Sequence, residues 1–429
     1  MEGESSLGNV EEFLRECLQG MEPDCRQRSA GRPRVLPATA LWAGLLVCVL
    51  QGFHSQLALW RMLSQKQLWF YPRFPVTDQA VYNRLQRGGT NALEGIFAEV
   101  SRVLSHRLAQ WTPPEYAPFA AQVVCIDEST LDQVARKLAD LRDLPKGDLR
   151  LIPGKLSGLF DLRTQQWRKV RFQPRAQQNE KVLARELVAE LPLGSLVVAD
   201  LGYFGFAWFD WLTEGGYFWL SRLRQKTSYQ VIHTYYSRGE TFDGIIWLGA
   251  YRADRAKYAV RLVTFRQGNT LHRYITNVHD PHTFPMAAMA RVYAQRWDIE
   301  LAFKMLKRYL KLHLLWSAKP VVIQQQIWAT LIIAQTLQRL RLEIAYRAGV
   351  DPNEVSMPLL VEYAPIYAYE GQDPVAVFVN QGRELRFIRP SRRTQVTAPV
   401  LSEDDLSPLP PDLTLVRTPR YAQRKASRT

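Results

Sequence analysis

The spacing of apolar residues changes along the chain and divides it into a helical, a mixed and a β-rich part. Up to about residue 112, apolar positions recur at helical spacing, as in Gln56-Leu-Ala-Leu-Trp60-Arg-Met-Leu63, so residues 1–112 read as a helical N-terminal domain. Residues 40–50 form an unbroken apolar run. It is shorter than the roughly 20 residues that span a bilayer and reads as a buried helix. After Tyr71-Pro-Arg-Phe-Pro75, Thr77 is placed to cap a helix that Gly88-Gly89 ends. Its Gln79, Tyr82, Asn83 and Arg87 can reach base edges or phosphates, the layout of a helix-turn-helix recognition helix in a DNA-binding domain.

Beyond the Pro-rich break Thr112-Pro-Pro-Glu-Tyr-Ala-Pro118, the elements become shorter and mixed. Lys155-Leu-Ser-Gly-Leu-Phe-Asp-Leu162 and Gln166-Trp-Arg-Lys-Val-Arg-Phe172 read as hairpin strands, 180–190 as a helix, and 197–200 and 217–223 as further strands. Residues 224–280 turn β-rich, with strands expected at 229–234, 245–248, 258–265 and 271–278. Thr283 and Pro285 mark the start of a helix that runs past residue 307, and the helical pattern resumes over 321–345. The chain thus divides into 1–112, a core of 118–223 and 281–345 split by the insertion 224–280, and a C-terminal region, 346–429. From about 386 that region is Pro-rich and basic, a composition expected to be disordered.

Composition narrows the function. Apolar residues make up 47% of the 429 positions, enough for a folded interior, and a net charge of +14 calls for a polyanionic partner, nucleic acid first. No amphipathic membrane anchor is evident, and the acidic start Met-Glu-Gly-Glu-Ser lacks a signal-peptide pattern. Cys17, Cys25, Cys48 and Cys125 are spaced too irregularly for a disulfide framework or a zinc site, so a reducing cytosol is the expected compartment. There is no Gly-x4-Gly-Lys phosphate loop, Gly-x-Ser-x-Gly elbow or Cys-x2-Cys pair. His279-Asp-Pro-His282 reads as a loop rather than a metal pair.

The chemistry concentrates in Tyr293-Ala-Gln-Arg296-Trp-Asp-Ile-Glu300, which continues to Lys307. On a helix advancing about 100° per residue, Tyr293, Arg296, Glu300 and Lys307 share an arc of roughly 60° over about four turns. Ile299, Phe303, Leu306 and Leu310 form the adjacent stripe that such a helix buries. Two upstream apolar runs end in aspartate: Val123-Val-Cys-Ile-Asp127, and Leu196-Val-Val-Ala-Asp200-Leu-Gly-Tyr203. Glu128 should point to the opposite strand face from Asp127.

The Tyr-x2-Arg-x3-Glu-x6-Lys spacing, with the Asp-x-Gly-Tyr run and the earlier strand-ending Asp, resembles the signature group of DDE transposases in the IS-four family of bacterial insertion sequences. The resemblance covers roughly residues 120–340. It implies a mixed α/β, ribonuclease-H-like core with a β-strand insertion ahead of the last catalytic helix. It also implies a catalytic, metal-holding triad of Asp127, Asp200 and Glu300, with Tyr293, Arg296 and Lys307 on DNA phosphates. In hairpin-forming relatives an aromatic of the insertion receives an unstacked base, for which Trp247 is the first candidate here and Trp219 the second. Three carboxylates suit in-line phosphodiester cleavage with two divalent ions roughly 4 Å apart. Mg²⁺ is expected, with Mn²⁺ able to substitute, because hard cations take carboxylates, waters and phosphates.

The implied function is cut-and-paste transposition. A homodimer would bind the inverted-repeat ends of an element in double-stranded DNA, cut them, and join the 3′ ends to target DNA, with or without a hairpin intermediate, in a bacterial, nucleoid-associated setting and with no membrane partner. The alternatives are a domesticated DNA-binding protein that no longer cuts, and a nuclease of the same fold that cuts without joining.

Overall fold

The computed structural model describes residues 10–19, 35–68, 71–108, 117–131, 154–173, 180–250, 254–391, 393 and 395–421. Nine strands make one mixed sheet: β1 (Val123–Leu131), β2 (Gly154–Asp161), β3 (Gln166–Gln173), β4 (Leu196–Ala199), β5 (Phe218–Arg222), β6 (Tyr229–Arg238), β7 (Thr241–Leu248), β8 (Val260–Gln267) and β9 (Thr270–Thr276). Their order is β3-β2-β1-β4-β5-β9-β8-β7-β6. β1, β4 and β5 run parallel, β2 runs against both its neighbours, and β9 joins β5 antiparallel. The insertion therefore extends the core sheet instead of standing apart from it.

Local sequence explains the centre of this sheet. β4, Leu-Val-Val-Ala, is buried at every position, as expected for a parallel strand covered on both faces. At Gly158 of β2 a Cβ would come within 2.6 Å of the Trp167 ring, so the absent side chain lets that indole lie across the hairpin.

One face of the sheet is covered by α6 (Glu180–Val188) and α7 (Phe206–Glu214), through Leu187, Trp208, Phe209 and Leu212. The other carries α8 (Met286–Gln295), α9 (Trp297–Lys304) and α10 (Pro320–Ala348). Around α10 pack α2 (Ala38–Leu50), α4 (Asp78–Arg87), α5 (Asn91–Leu108), α11 (Met357–Tyr369) and α12 (Pro374–Gln381); α1 (Val10–Gln19) and α3 (Gln56–Gln65) complete the layer.

The expected N-terminal domain is not a separable unit. Its helices share one apolar core with α10 and the sheet, and Gln325 of α10 donates to the carbonyls of Leu85 (2.8 Å) and Gly89 (2.7 Å) at the end of α4. The reason is α2, buried continuously from Ala40 to Leu50: a helix apolar all round needs cover on every side. Thr77 does cap α4, accepting from the Ala80 N–H at 3.2 Å. The helix-turn-helix geometry does not hold, because α3 ends at Gln65 and α4 starts only at Asp78, a longer connection than the short turn of that motif.

The expected disorder from residue 386 does not hold as far as residue 421. Ile388 bridges to Val355, Val416 to Tyr258 and Arg420 to Arg255, and Tyr421 donates its hydroxyl proton to Asp210 at 2.8 Å. Leu406, Leu409 and Leu415 pack on the insertion, so docking rather than composition orders this strap. Residues 422–429, most of the Pro-rich break at 112–118, and Cys25 lie outside the described residues. Cys17, Cys48 and Cys125 are buried, and burial pushes the Cys48 thiol up to about 12. Among the described residues no helix is long and apolar enough to cross a membrane.

Candidate active site at the strand ends

The parallel register sets the site. Ile126 pairs with Ala199 and Val198 with Leu220, so Asp127 and Asp200 come next to each other where β4 ends, with Arg222 at the end of β5. Asp127 does not end its strand as expected, because β1 runs on to Leu131 beside β2 alone. Asp127 Oδ1 accepts from the Glu128 N–H at 2.8 Å. Asp200 caps the turn Leu201–Tyr203, its Oδ1 accepting from the Gly202 N–H at 2.6 Å. Among the described residues, the second oxygen of each accepts no hydrogen bond. Glu128 faces away as expected, held by Lys155 (2.6 Å) and Ser157 (2.5 Å) on β2.

Asp127 is pushed up to about 6, chiefly because it is buried. The Glu128 N–H and Arg296 pull the other way, while the Asp200 and Glu300 carboxylates add to the rise. Asp127 therefore feels both other carboxylates, and a nearby cation would favour its ionised form.

The helix that brings Glu300 is not the single regular one its spacing predicts. The ladder breaks at Arg296, whose N–H reaches the Tyr293 carbonyl (3.1 Å), and α9 starts at Trp297. A π-helical turn, Met305–Tyr309, then follows, with the Leu310 N–H on the Met305 carbonyl (2.9 Å), a feature frequent at functional sites. Glu300 Oε1 accepts from Arg296 at 2.7 Å, its side chain 32% exposed. Lys307, in the π turn, donates to Ser129 Oγ (3.2 Å) and the Thr130 carbonyl (2.8 Å), just past Asp127 on β1.

The signature residues thus meet, with adjustments. Tyr293 is buried against Tyr274, and its hydroxyl accepts from Arg222 Nε at 3.1 Å. The exposed cation at that point is Arg222, which sequence reading passed over. Arg224, over the Phe204 ring, is a second. The signal available was two arginines just beyond a strand parallel to the two aspartate strands. Trp297, 53% exposed on the α9 face it shares with Glu300, was also missed. Gln79, Asn83 and Arg87 lie exposed on the outer face of α4, with Gln79 donating to Asn83 at 3.1 Å.

Trp247 does not fit a base-receiving role. It is buried with Tyr235, Ile245 and Ala259, and the Arg417 guanidinium of the C-terminal strap covers its ring at 4.5 Å. Trp219 is fully buried, stacked on Phe209 at 4.2 Å and donating to Thr213. His279 is tied to the Ala259 carbonyl (2.8 Å) while His282 is exposed, so the two form a loop and not a metal pair.

As positioned, no three His, Cys, Asp or Glu side chains among the described residues stand close enough to hold a metal ion; Glu300 is turned onto Arg296. The donor set still fits hard cations, because Mg²⁺ commonly takes one or two carboxylates and fills its remaining positions with water and phosphate oxygens.

A model of the transposase DDE domain matches residues 120–336, just over half of the chain. The transposase InsG of insertion sequence element IS4 from Escherichia coli (strain K12) is 26% identical over 191 residues, 42% of this chain and 42% of its own length. The protein y4zB of Sinorhizobium fredii is 24% identical over 191 residues, 42% of this chain and 49% of its own length. The chain thus matches less than half of either curated relative. The solved synaptic complex of piggyBac transposase with hairpin DNA aligns at a TM-score of 0.38 and 10% identity, over 93% of this chain and 84% of that one.

Proposed function

Because this chain belongs to the transposase DDE-domain family, of the type found in IS4-like insertion sequences, we propose that it binds the inverted-repeat ends of such an element, cleaves them and joins the 3′ ends to target DNA. What supports this reading is that the registers of β1, β4 and β5 bring Asp127 and Asp200 to one edge of the sheet, near Glu300, bonded to Arg296, and Lys307, which reaches Ser129 and Thr130. The order β3-β2-β1-β4-β5, with β2 alone reversed, supports a ribonuclease-H-like core.

Asp127 feels the charge of both Asp200 and Glu300, and the three carboxylates would share the holding of two cations. Mg²⁺ or Mn²⁺ held there would supply activation of the attacking oxygen and charge for the leaving one. Glu300 must exchange its bond to Arg296 for its share in that holding, which frees the Arg296 guanidinium for a phosphate oxygen. Lys307, Arg222 and Arg224 line the same edge and would fix the backbone of the transposon end, with Tyr293 holding Arg222 in place. Trp297 presents a ring to solvent next to Glu300, where an unstacked base can lie on it. The outer face of α4, with Gln79, Asn83 and Arg87, would contact DNA away from the cut. A homodimer on paired ends completes the assembly.

The test is Glu300→Gln, which keeps shape and removes charge. With Mg²⁺ or Mn²⁺ and end-containing duplex, cleavage and strand transfer should both fall at least ~1000-fold, because residues acting as a unit fail together, while end binding persists. Asp127→Asn and Asp200→Asn should match it. Near-parental cleavage by Glu300→Gln would remove Glu300 from the triad. Cleavage without joining by the parent protein would make it a nuclease.

A further inference from the structure

The break at Arg296 has a tether from a distant part of the chain. Arg393, in the C-terminal region, donates through Nη2 to the Ala294 carbonyl at 2.7 Å, in the last turn of α8. Its Nη1 lies 2.6 Å from Asp298 Oδ1, in the first turn of α9, an ion-pair contact without hydrogen-bond alignment. Asp298 is only 4% exposed, and its other oxygen accepts from Gln165 Nε2 (2.8 Å) in the β2–β3 turn. A helix interruption leaves carbonyls at one end and N–H groups at the other without regular partners. A cation suits the first and a carboxylate the second, and here one guanidinium touches both the carbonyl and the carboxylate.

We propose that Arg393 is a positioning residue for the proposed cleavage reaction, stapling α8 to α9 so that Arg296 and Glu300 face the β1 and β4 aspartates. The staple acts two residues before Glu300 and two before Arg296, at Asp298 and Ala294. Arg393 itself does not reach the carboxylate edge; its contacts are on the other side of α9. The pocket beside these contacts, about 350 Å³, is lined by Asp298, Leu301, Arg341 and Arg393 and reaches round the helix to Trp297. Exposed Trp297 and Leu301 mark its mouth, so a small ion can enter from solvent.

This inference rests on the proposed cleavage activity, and the experiment separates the two. Arg393→Ala is compared with the parent and with Glu300→Gln for end binding, single-turnover cleavage and thermal stability, with and without millimolar guanidinium chloride. Arg393→Ala should bind ends within about twofold of the parent but cleave ~10- to 100-fold more slowly, the effect of displacing a catalytic group by about an ångström. Guanidinium should restore part of that rate to Arg393→Ala and nothing to Glu300→Gln, and Arg393→Lys should fall between. Cleavage within twofold of the parent, an equal loss of end binding, or no recovery with guanidinium would overturn the staple while leaving the triad standing. A parent protein that does not cleave would remove the reading beneath it.

Discussion

In the insertion, Arg261 of β8 grips Asp243 of β7 with two bonds (2.7 and 2.6 Å) and gives a third to the Phe284 carbonyl (2.7 Å) ahead of α8. Both side chains are sealed from water, 0% and 1% exposed. Beside the strand ends, Arg296 holds Glu300 by one oxygen at 2.7 Å, and the carboxylate remains about a third open. The ions are of the same kinds, yet one pair is finished and the other keeps an oxygen for something else. A finished pair fixes structure and is costly to break. An open pair beside two further carboxylates can change partners.

The sharpest way to break this contrast is to remove one member of the sealed pair. Asp243→Ala should lower unfolding free energy by about 3–5 kcal/mol, the usual result of stranding a buried charge, whereas Glu300→Gln should change it by less than about 1 kcal/mol. Urea unfolding of both variants decides it: equal losses would mean that Glu300 is as structural as Asp243.

A smaller effect sharpens the open side. Asp127 binds its proton more tightly folded than unfolded, so its contribution to stability is full below the ordinary 3.8 and is lost as pH rises toward about 6. Metal binding must expel that proton. Mn²⁺ affinity should therefore climb by up to about tenfold per pH unit below about 6 and level off above it. Calorimetric titrations at several pH values should show this, and Asp127→Asn should bind weakly with a flatter profile. An affinity unchanged between acid and neutral pH would place the cation elsewhere.

The smallest effect concerns Lys307. Lys307→Ala should reduce the slope of log affinity against log salt for transposon-end duplex by about one. An unaltered slope would assign Lys307 to its bonds with Ser129 and Thr130 alone.

What sequence could and could not reveal follows from how local each cause is. The strands carrying the aspartates were legible because an apolar run buried on both faces can be little else, although β1 runs on past Asp127 to Leu131. The 293–307 residues were legible because fixed offsets on a helix survive small irregularities. The break at Arg296 was not legible, since one of its partners, Arg393, lies about a hundred residues away. The strap 395–421 was misjudged because its leucines and Arg417 gain order only by docking on Tyr235, Trp247 and Ala259. Trp247 was misjudged for the same reason: strand alternation says which face it takes and nothing about what covers that face. The shared N-terminal core did leave a sign, in a helix apolar on every side.

The unbroken pairing from β3 to β6 has a consequence for how the molecule loosens. Fraying in a sheet starts at its two borders, β3 and β6, which have a neighbouring strand on one side only. Val124–Ile126 of β1 and Leu196–Val198 of β4 are paired on both flanks, so solvent deuterium should reach their amides only through the rarest, most global openings. The aspartates just beyond these stretches adjoin backbone expected to exchange slowest, while Glu300 rides on a helix whose bond ladder is already interrupted. In the proposed triad, two carboxylates are the fixed jaw and one is the movable jaw.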